Sequence, residues 1–135
     1  MPKSRRRQVA QRAKGRCEYC HLPQSLTTLP YELDHIRAQK HHGQTTLANL
    51  CWACAWCNAS KGPNAAGYDP VGGDLVRLFN PRVDDWPEHF FWDGPVLMGR
   101  TAIGRATIDV LRINARVRVE LRRFLFASGH RDTFS

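Results

Sequence analysis

A carboxylate, an imidazole and an amide in one stretch of the chain have the chemistry needed to hydrolyse a phosphodiester. Asp34 and His35 are adjacent, and Asn58 directly follows a Cys-x-x-Cys sequence. Carboxylate and amide oxygens are hard ligands suited to Mg²⁺ or Mn²⁺. Imidazole titrates near neutral pH, so His35 is a candidate general base. We therefore interpret Asp34 and Asn58 as candidate ligands of a catalytic divalent metal.

Each of these three residues also has a structural interpretation. His35 could be a histidine that serves only packing, and Asp34 could orient His35 by a hydrogen bond without binding metal. Asn58 could be a helix cap, because Asn is favoured at that position. We favour the catalytic interpretation because the three residue types occur together beside a cysteine pair.

Four cysteines form two Cys-x-x-Cys pairs, Cys17 with Cys20 and Cys54 with Cys57. Four thiolates make a closed tetrahedral Zn²⁺ site, so we expect this zinc to be structural. Free or redox-active cysteines are the alternative. We interpret Cys51, the fifth cysteine, as a small core residue. This thiol pattern suits a reducing compartment, and we expect the chain to be cytoplasmic.

Length and charge limit the class of protein. The 135 residues predict one globular domain, with a core region at 1–62 and a C-terminal extension at 63–135 packed on it. The net charge of +8 predicts a polyanionic partner, most commonly nucleic acid. The chain shows no long apolar run, no signal peptide and no basic amphipathic helix with an aromatic face. We therefore expect no membrane partner.

A basic helix is predicted at residues 4–14, with Ser4 as its cap and Gly15 at its end. Its positive charges are interpreted as phosphate contacts, although a solvated basic face is the alternative. Lys61 fits a surface lysine and a phosphate contact equally well, and His41 is an outside candidate for positioning phosphate or metal. The predicted nucleic-acid contacts are Arg5, Arg6, Arg12, Lys14, Arg16 and Lys61.

The elements that must position the site are two strands and a helix. Residues 29–36 and 49–53 are predicted as strands joined by an exposed loop, and residues 55–61 as a short helix ended by Gly62. In a strand, Asp34 and His35 point to opposite faces.

The extension is predicted to contain a loop at 63–74, short strands at 75–79, 90–92 and 96–98, and two helices. Thr101 and Asn114 are the predicted helix caps. In the last helix an apolar face and a basic face are predicted; the apolar face comprises Val117, Leu121, Phe124 and Leu125, and the solvent face Arg116, Arg118, Arg122 and Arg123. The fold class is therefore α+β.

The pattern from Cys17 to Gly62 resembles the HNH endonuclease family, with its ββα-metal core. The matching positions are Cys17-x-x-Cys20, Leu33-Asp34-His35-Ile36, the loop containing Gly43, Asn49-Leu50, and Cys54-x-x-Cys57-Asn58-x-x-Lys61-Gly62. The resemblance implies that His35 is the base, that Asp34 and Asn58 bind the catalytic metal, and that Asn49 pins the loop. Asn58 replaces the family's final His. At residues 41–43 this chain has His-His-Gly where related sequences often have His-Gly-Gly.

We therefore expect a metal-dependent HNH endonuclease that nicks or cuts DNA, using structural Zn²⁺ and catalytic Mg²⁺ or Mn²⁺. The family implies products with 5′-phosphate and 3′-hydroxyl ends. The alternative is a zinc-stabilised nucleic-acid-binding module without turnover. A third interpretation is a nuclease subunit that needs a partner protein, and the sequence leaves open whether two chains pair.

Overall fold

The computed structural model describes the backbone of residues 2–135 and the side chains from residue 4 onward; residue 1 of the predicted 1–62 region lies outside this part. Short antiparallel strand pairs alternate with helices, which confirms the α+β class. The elements are α1 (Pro2–Arg12), β1 (Tyr31–His35), β2 (Leu50–Cys54), α2 (Ala55–Lys61), β3 (Ala66–Tyr68), β4 (Leu75–Arg77), α3 (Trp86–His89), β5 (Phe90–Asp93), β6 (Val96–Gly99), α4 (Ala102–Val110) and α5 (Arg116–Ala127).

The hairpin β1–β2 followed by α2 forms the centre of the molecule. Its antiparallel register places Asp34 opposite Cys51 and His35 opposite Leu50. Every residue of β2 is buried, whereas β1 buries Asp34 and leaves His35 half-buried. The strand therefore separates the two neighbouring site residues, as its alternating geometry predicts. Helix α2 has the predicted bounds.

Helix α1 packs its few apolar residues against β2. Val9 and Ala13 are buried, and the helix terminates through Gly15, whose φ of +70° allows its N–H to donate to the carbonyl of Ala10 at 2.9 Å. The predicted cap is wrong, because the helix begins at Pro2 and Ser4 lies inside its first turn.

The extension follows the predicted order with one wrong cap. Thr101 caps α4 by accepting a hydrogen bond from the N–H of Gly104 at 3.0 Å. Asn114 does not cap α5, which starts after Ala115. Its side-chain amide instead bonds both the N–H and the carbonyl of Leu97, at 3.0 and 2.7 Å, and so joins β6 to the start of α5.

The predicted faces of α5 are correct only in part. Leu125 is buried and Arg116 and Arg123 are exposed, as predicted, but two arginines are buried and two apolar residues are exposed. Arg118 and Arg122 are each only 3% exposed, whereas Val117 is 61% and Phe124 67% exposed. Hydrophobic periodicity fails here because the buried surroundings of this helix contain polar atoms. Guanidinium groups can bond these atoms, as described below, whereas apolar side chains could not.

One continuous hydrophobic cluster joins the hairpin to the extension. It includes Tyr19 and Leu50 from the first half, and Phe79, Phe90 and Phe134 from the second. In the part of the chain described, no helix combines the length and apolar character needed to span a bilayer.

Candidate functional site

The sulfur atoms of the four predicted zinc ligands form one cluster. The sulfurs of Cys17, Cys20, Cys54 and Cys57 lie within 4.8 Å of one another, and all four residues are buried. Cys20 Sγ and Cys54 Sγ are 3.7 Å apart. A tetrahedron with Zn–S bonds of about 2.3 Å has edges of about 3.8 Å, so the sulfurs fit a zinc ion. This donor set leaves no open position for substrate.

The fifth cysteine belongs to a different group of residues. Cys51 is buried and its thiol lies 3.5 Å from Oδ2 of Asp34. Burial, followed by the charge of Asp34, raises the pKa of Cys51, so the thiol keeps its proton and can donate it. The expectation that Cys51 is a core residue agrees with this position.

Asp34 is only 4% exposed and is surrounded by donors. The hydroxyl of Tyr19 donates to Oδ2 at 2.7 Å. Burial raises the pKa of Tyr19 well above its ordinary value, so this hydroxyl stays protonated. The ammonium of Lys61 lies 3.4 Å from Oδ1 and 3.3 Å from Oδ2. The carboxylate is thus fixed in one orientation.

Lys61 joins α2 to the end of β1. Its Nζ donates to the carbonyls of His35 at 3.0 Å and Ile36 at 3.3 Å, in addition to Asp34. The residue is 1% exposed. The three donors of an ammonium group are therefore all used within the protein. The prediction that Lys61 contacts phosphate does not fit this buried position, and a surface lysine does not fit it either.

His35 faces the loop that connects the two strands. Its Nε2 lies 2.9 Å from Oγ1 of Thr45, which also accepts a hydrogen bond from Gln39 Nε2 at 3.3 Å. Within the side chains described, Nδ1 of His35 has no hydrogen-bond partner. A neutral His35 that donates its Nε2–H to Thr45 carries a lone pair on Nδ1. One ring nitrogen is then held while the other can accept a proton.

The side chain of Asn49 holds the same loop through hydrogen bonds to the loop's backbone. Its Oδ1 accepts from the N–H of Arg37 at 2.9 Å, and its Nδ2 donates to the carbonyls of Arg37 at 3.0 Å and Gln44 at 2.8 Å. Gly43 is required beside it, because a Cβ there would lie 1.7 Å from the carbonyl oxygen of Arg37. His42 takes a left-handed conformation, with φ of 68°, which is uncommon for a residue other than glycine.

Asn58 precedes Lys61 by three residues on α2, and this spacing predicts that it shares the side of the helix that faces β1. Residues three apart share a helix face, and Lys61, three residues later, reaches Asp34 and the carbonyl of His35. Asn58 is half-buried, and its amide makes no hydrogen bond to any side chain or backbone atom described. The helix-cap alternative is wrong, since Cys54 occupies that position and its sulfur accepts from the N–H of Cys57.

Several predicted nucleic-acid contacts bond the protein's own backbone. Arg6 donates to the carbonyl of Tyr31, Arg12 to those of Leu47 and Leu50, and Arg16 to those of Thr133 and Ser135. These guanidinium groups help attach α1 and the first cysteine pair to the rest of the fold. Lys14 is exposed and Arg5 half-buried.

His41 lies on the exposed side of the loop. Its carbonyl accepts a hydrogen bond from Arg37 Nε at 2.6 Å, while its imidazole makes no hydrogen bond within the part of the chain described. The expectation that His41 positions phosphate or metal stays a prediction.

Sequence reasoning missed three residues that shape the site. Tyr19 bonds Asp34, Thr45 bonds His35, and Arg118 donates to the sulfur of Cys57 at 2.9 Å. Tyr19 had one signal, its place between two zinc ligands, where a buried aromatic is expected to pack. No local pattern identifies Thr45 or Arg118, because each meets its partner only through the tertiary fold.

Comparison with known proteins agrees with this geometry. The family model for HNH endonuclease matches residues 17–64, which include both cysteine pairs, the hairpin and α2. The Septu protein PtuB of Bacillus thuringiensis is 24% identical over 123 residues, which cover 90% of this chain and 45% of PtuB. The chain thus spans less than half the length of that relative. No solved structure shows a significant match. This chain contains an HNH endonuclease domain, formed by residues 17–64.

Proposed function

We propose that this chain is a metal-dependent endonuclease that nicks or cuts DNA, with His35 as the general base. The observation that carries the proposal is the state of the His35 imidazole. It is half-buried on the rim of a rigid hairpin, with Nε2 held by Thr45 and Nδ1 without a partner in the described chain. A general base needs one nitrogen fixed and the other open to water.

Asp34 and Asn58 are the residues that would hold a catalytic divalent cation. Each carboxylate oxygen has two lone pairs, and Oδ1 of Asp34 accepts from Lys61 alone among the groups described, so one lone pair remains. The Asn58 amide, without an internal partner, supplies a second hard oxygen from the facing helix. This donor chemistry fits Mg²⁺ or Mn²⁺ with water and phosphate completing the shell. Such a cation, when bound, supplies positive charge that stabilises the departing 3′-oxygen.

The remaining residues of the site orient the base. Asn49 fixes the loop that carries Thr45, and Thr45 fixes the His35 ring. Lys61 holds the carbonyls that follow the base on β1, so the strand end is tied to α2. In this proposal Nδ1 of His35 takes a proton from the attacking water, and the products carry 5′-phosphate and 3′-hydroxyl ends.

DNA is proposed as the substrate from the HNH domain and the net charge of +8. Lys14 and Arg5 remain the best candidates among the predicted phosphate contacts, since in the part of the chain described their side chains form neither a hydrogen bond nor an ion pair. The similarity to a Septu protein leads us to propose further that the chain works together with a partner protein.

The test is nicking of supercoiled plasmid by the purified chain with Mg²⁺ or Mn²⁺. His35→Ala is expected to lower the rate at least about 100-fold, the usual contribution of a general base. His130→Ala, a histidine outside the proposed site, serves as the control and should cleave like wild type. Equal zinc content and equal unfolding temperature show that both variants are folded. Equal rates for His35→Ala and wild type would refute the assignment of His35.

A non-catalytic zinc module is the second candidate, and one observation favours it. Asp34 is buried and already paired with Lys61, as a structural carboxylate would be. In that case the chain binds DNA, neither divalent ion supports cleavage at any reasonable salt concentration, and His35→Ala binds DNA as wild type does. Restoration of cleavage by a partner protein would instead identify a subunit that needs its complex.

A further inference from the structure

Two arginines of α5 are buried without acidic partners. Arg118 and Arg122 are each 3% exposed. Within residues 4–135, whose side chains are described, neither guanidinium forms a salt bridge with an aspartate or glutamate. A buried cation is stabilised by a compensating negative charge, because neutral hydrogen bonds only partly offset the free energy of its removal from water. The source of that charge must lie among their other neighbours.

The neighbours of both arginines lead to the four-cysteine site. Arg118 Nη2 donates to the sulfur of Cys57 at 2.9 Å, while Nη1 donates to the carbonyl of Leu111 at 2.7 Å. Arg122 is held one turn later by the carbonyl of Pro95 at 2.7 Å and by Asn114 Oδ1 at 3.0 Å. Both guanidinium groups border a small cavity of about 10 Å³ whose wall also includes Cys20. Arg118 therefore contacts one zinc-ligand cysteine directly, and Arg122 lines the same small cavity as another.

The charges match. A Zn²⁺ ion with four thiolates carries a net charge of about −2, and two arginines carry +2. In the metal-free, thiol form of the site the buried arginines would have no counter-charge. We propose that Arg118 and Arg122 neutralise the zinc–thiolate centre, and that zinc binding therefore controls the docking of α5 onto the HNH domain. The proposal does not depend on nuclease activity.

The first experiment measures zinc affinity of the full chain by competition with a chromogenic chelator. Arg118→Met removes the charge and the donor while keeping an apolar stem, and is expected to weaken zinc binding about 10-fold or more, as loss of a residue that supports a metal ligand commonly does. Arg118→Lys retains the charge and should recover most of the affinity. Arg116→Met, at an exposed position of the same helix, is the matched control. A zinc affinity of Arg118→Met within twofold of wild type would overturn the proposal.

The second experiment uses Co²⁺ in place of zinc. A hydrogen bond from Arg118 lowers the energy of the sulfur lone pairs of Cys57, so its loss is expected to move the sulfur-to-cobalt charge-transfer band to longer wavelength in saturated Arg118→Met. A role limited to packing would leave the band where it is in wild type, and that result contradicts the proposal.

A third measurement needs no variant. Hydrogen exchange of the wild-type chain is followed while zinc is withdrawn by a chelator, and the amides of residues 116–127 are expected to lose protection at the same free zinc concentration as the cysteine-bearing segments. Protection of α5 that persists after the zinc is gone would show that its docking is independent of the metal, and would overturn the proposal even if no Arg118 variant folds.

Discussion

We expect substitutions of Asp34 and Lys61, which form a buried ion pair, to be strongly coupled in their effect on the free energy of unfolding. Lys61→Met leaves the Asp34 carboxylate buried without its cation and deprives the carbonyls of His35 and Ile36 of a donor. Removing one partner of a buried ion pair costs about 3–5 kcal/mol. For a domain of this size that loss lowers the unfolding temperature by roughly 10–15 °C, at about 3 °C per kcal/mol. Asp34→Asn is expected to cost a similar amount, because it leaves the ammonium unpaired.

The double variant Asp34→Asn/Lys61→Met separates this pair from general packing damage. With neither charge buried, its loss of stability should be smaller than the sum of the two single losses by about 2–3 kcal/mol. Urea unfolding with zinc present throughout gives the four free energies. The exposed pair Arg123 and Glu120, 3.8 Å apart and each 60% exposed, provides the control cycle, with an expected coupling of about 0.5 kcal/mol or less. Losses at Asp34 and Lys61 that add to within about 0.5 kcal/mol would refute the reasoning.

Three further outcomes follow from substitutions of single residues. Tyr19→Phe removes the hydroxyl that donates to Asp34 at 2.7 Å and should lower the free energy of unfolding by about 1–2 kcal/mol in urea; an unchanged value would contradict that hydrogen bond. Asn49→Ala removes three loop hydrogen bonds and should slow plasmid nicking while the zinc content stays at the wild-type value. Loss of zinc would instead show that the substitution acts through the four-cysteine site. The guanidinium of Arg105 lowers the pKa of Asp69, so this carboxylate stabilises the fold above its unfolded pKa of about 3.9 and loses that effect as the pH falls further. The difference in unfolding temperature between wild type and Asp69→Asn should therefore be constant from pH 7 to about pH 4 and narrow as the pH falls from about 4 to about 2. A difference that stays constant below pH 4 would refute the linkage.

Local patterns predicted the centre of the fold closely. The bounds of α2 were found from Gly62 and the cysteine spacing, and the hairpin was found to within two residues at each end. These elements depend on interactions close in sequence, such as a Cys-x-x-Cys turn and a glycine after a helix. The cap at Thr101 is of the same kind, since the hydroxyl bonds an N–H only three residues away.

The helix α5 shows where such patterns fail. Its apolar residues suggested one buried face and its arginines an exposed one, yet Phe124 is exposed and Arg118 is buried. Periodicity assumes that a buried environment is apolar. Next to four cysteine sulfurs and several helix-end carbonyls this assumption does not hold, and no window of sequence around residue 118 contains that information.

The candidate site also has some features that local sequence predicts and others that only the tertiary structure decides. Residue types and spacing predict that four cysteines share one metal, and the clustered sulfurs agree with this prediction. The same kind of reasoning selects Asp34, His35 and Asn58 as candidates, because ligand chemistry is a property of the side chain. Only the tertiary structure decided what surrounds them: a buried lysine beside the carboxylate, a threonine on the imidazole and an arginine on a zinc-ligand sulfur. Each of those contacts joins segments between 10 and 61 residues apart, so its existence depends on how distant elements pack and not on the residues near it in the chain.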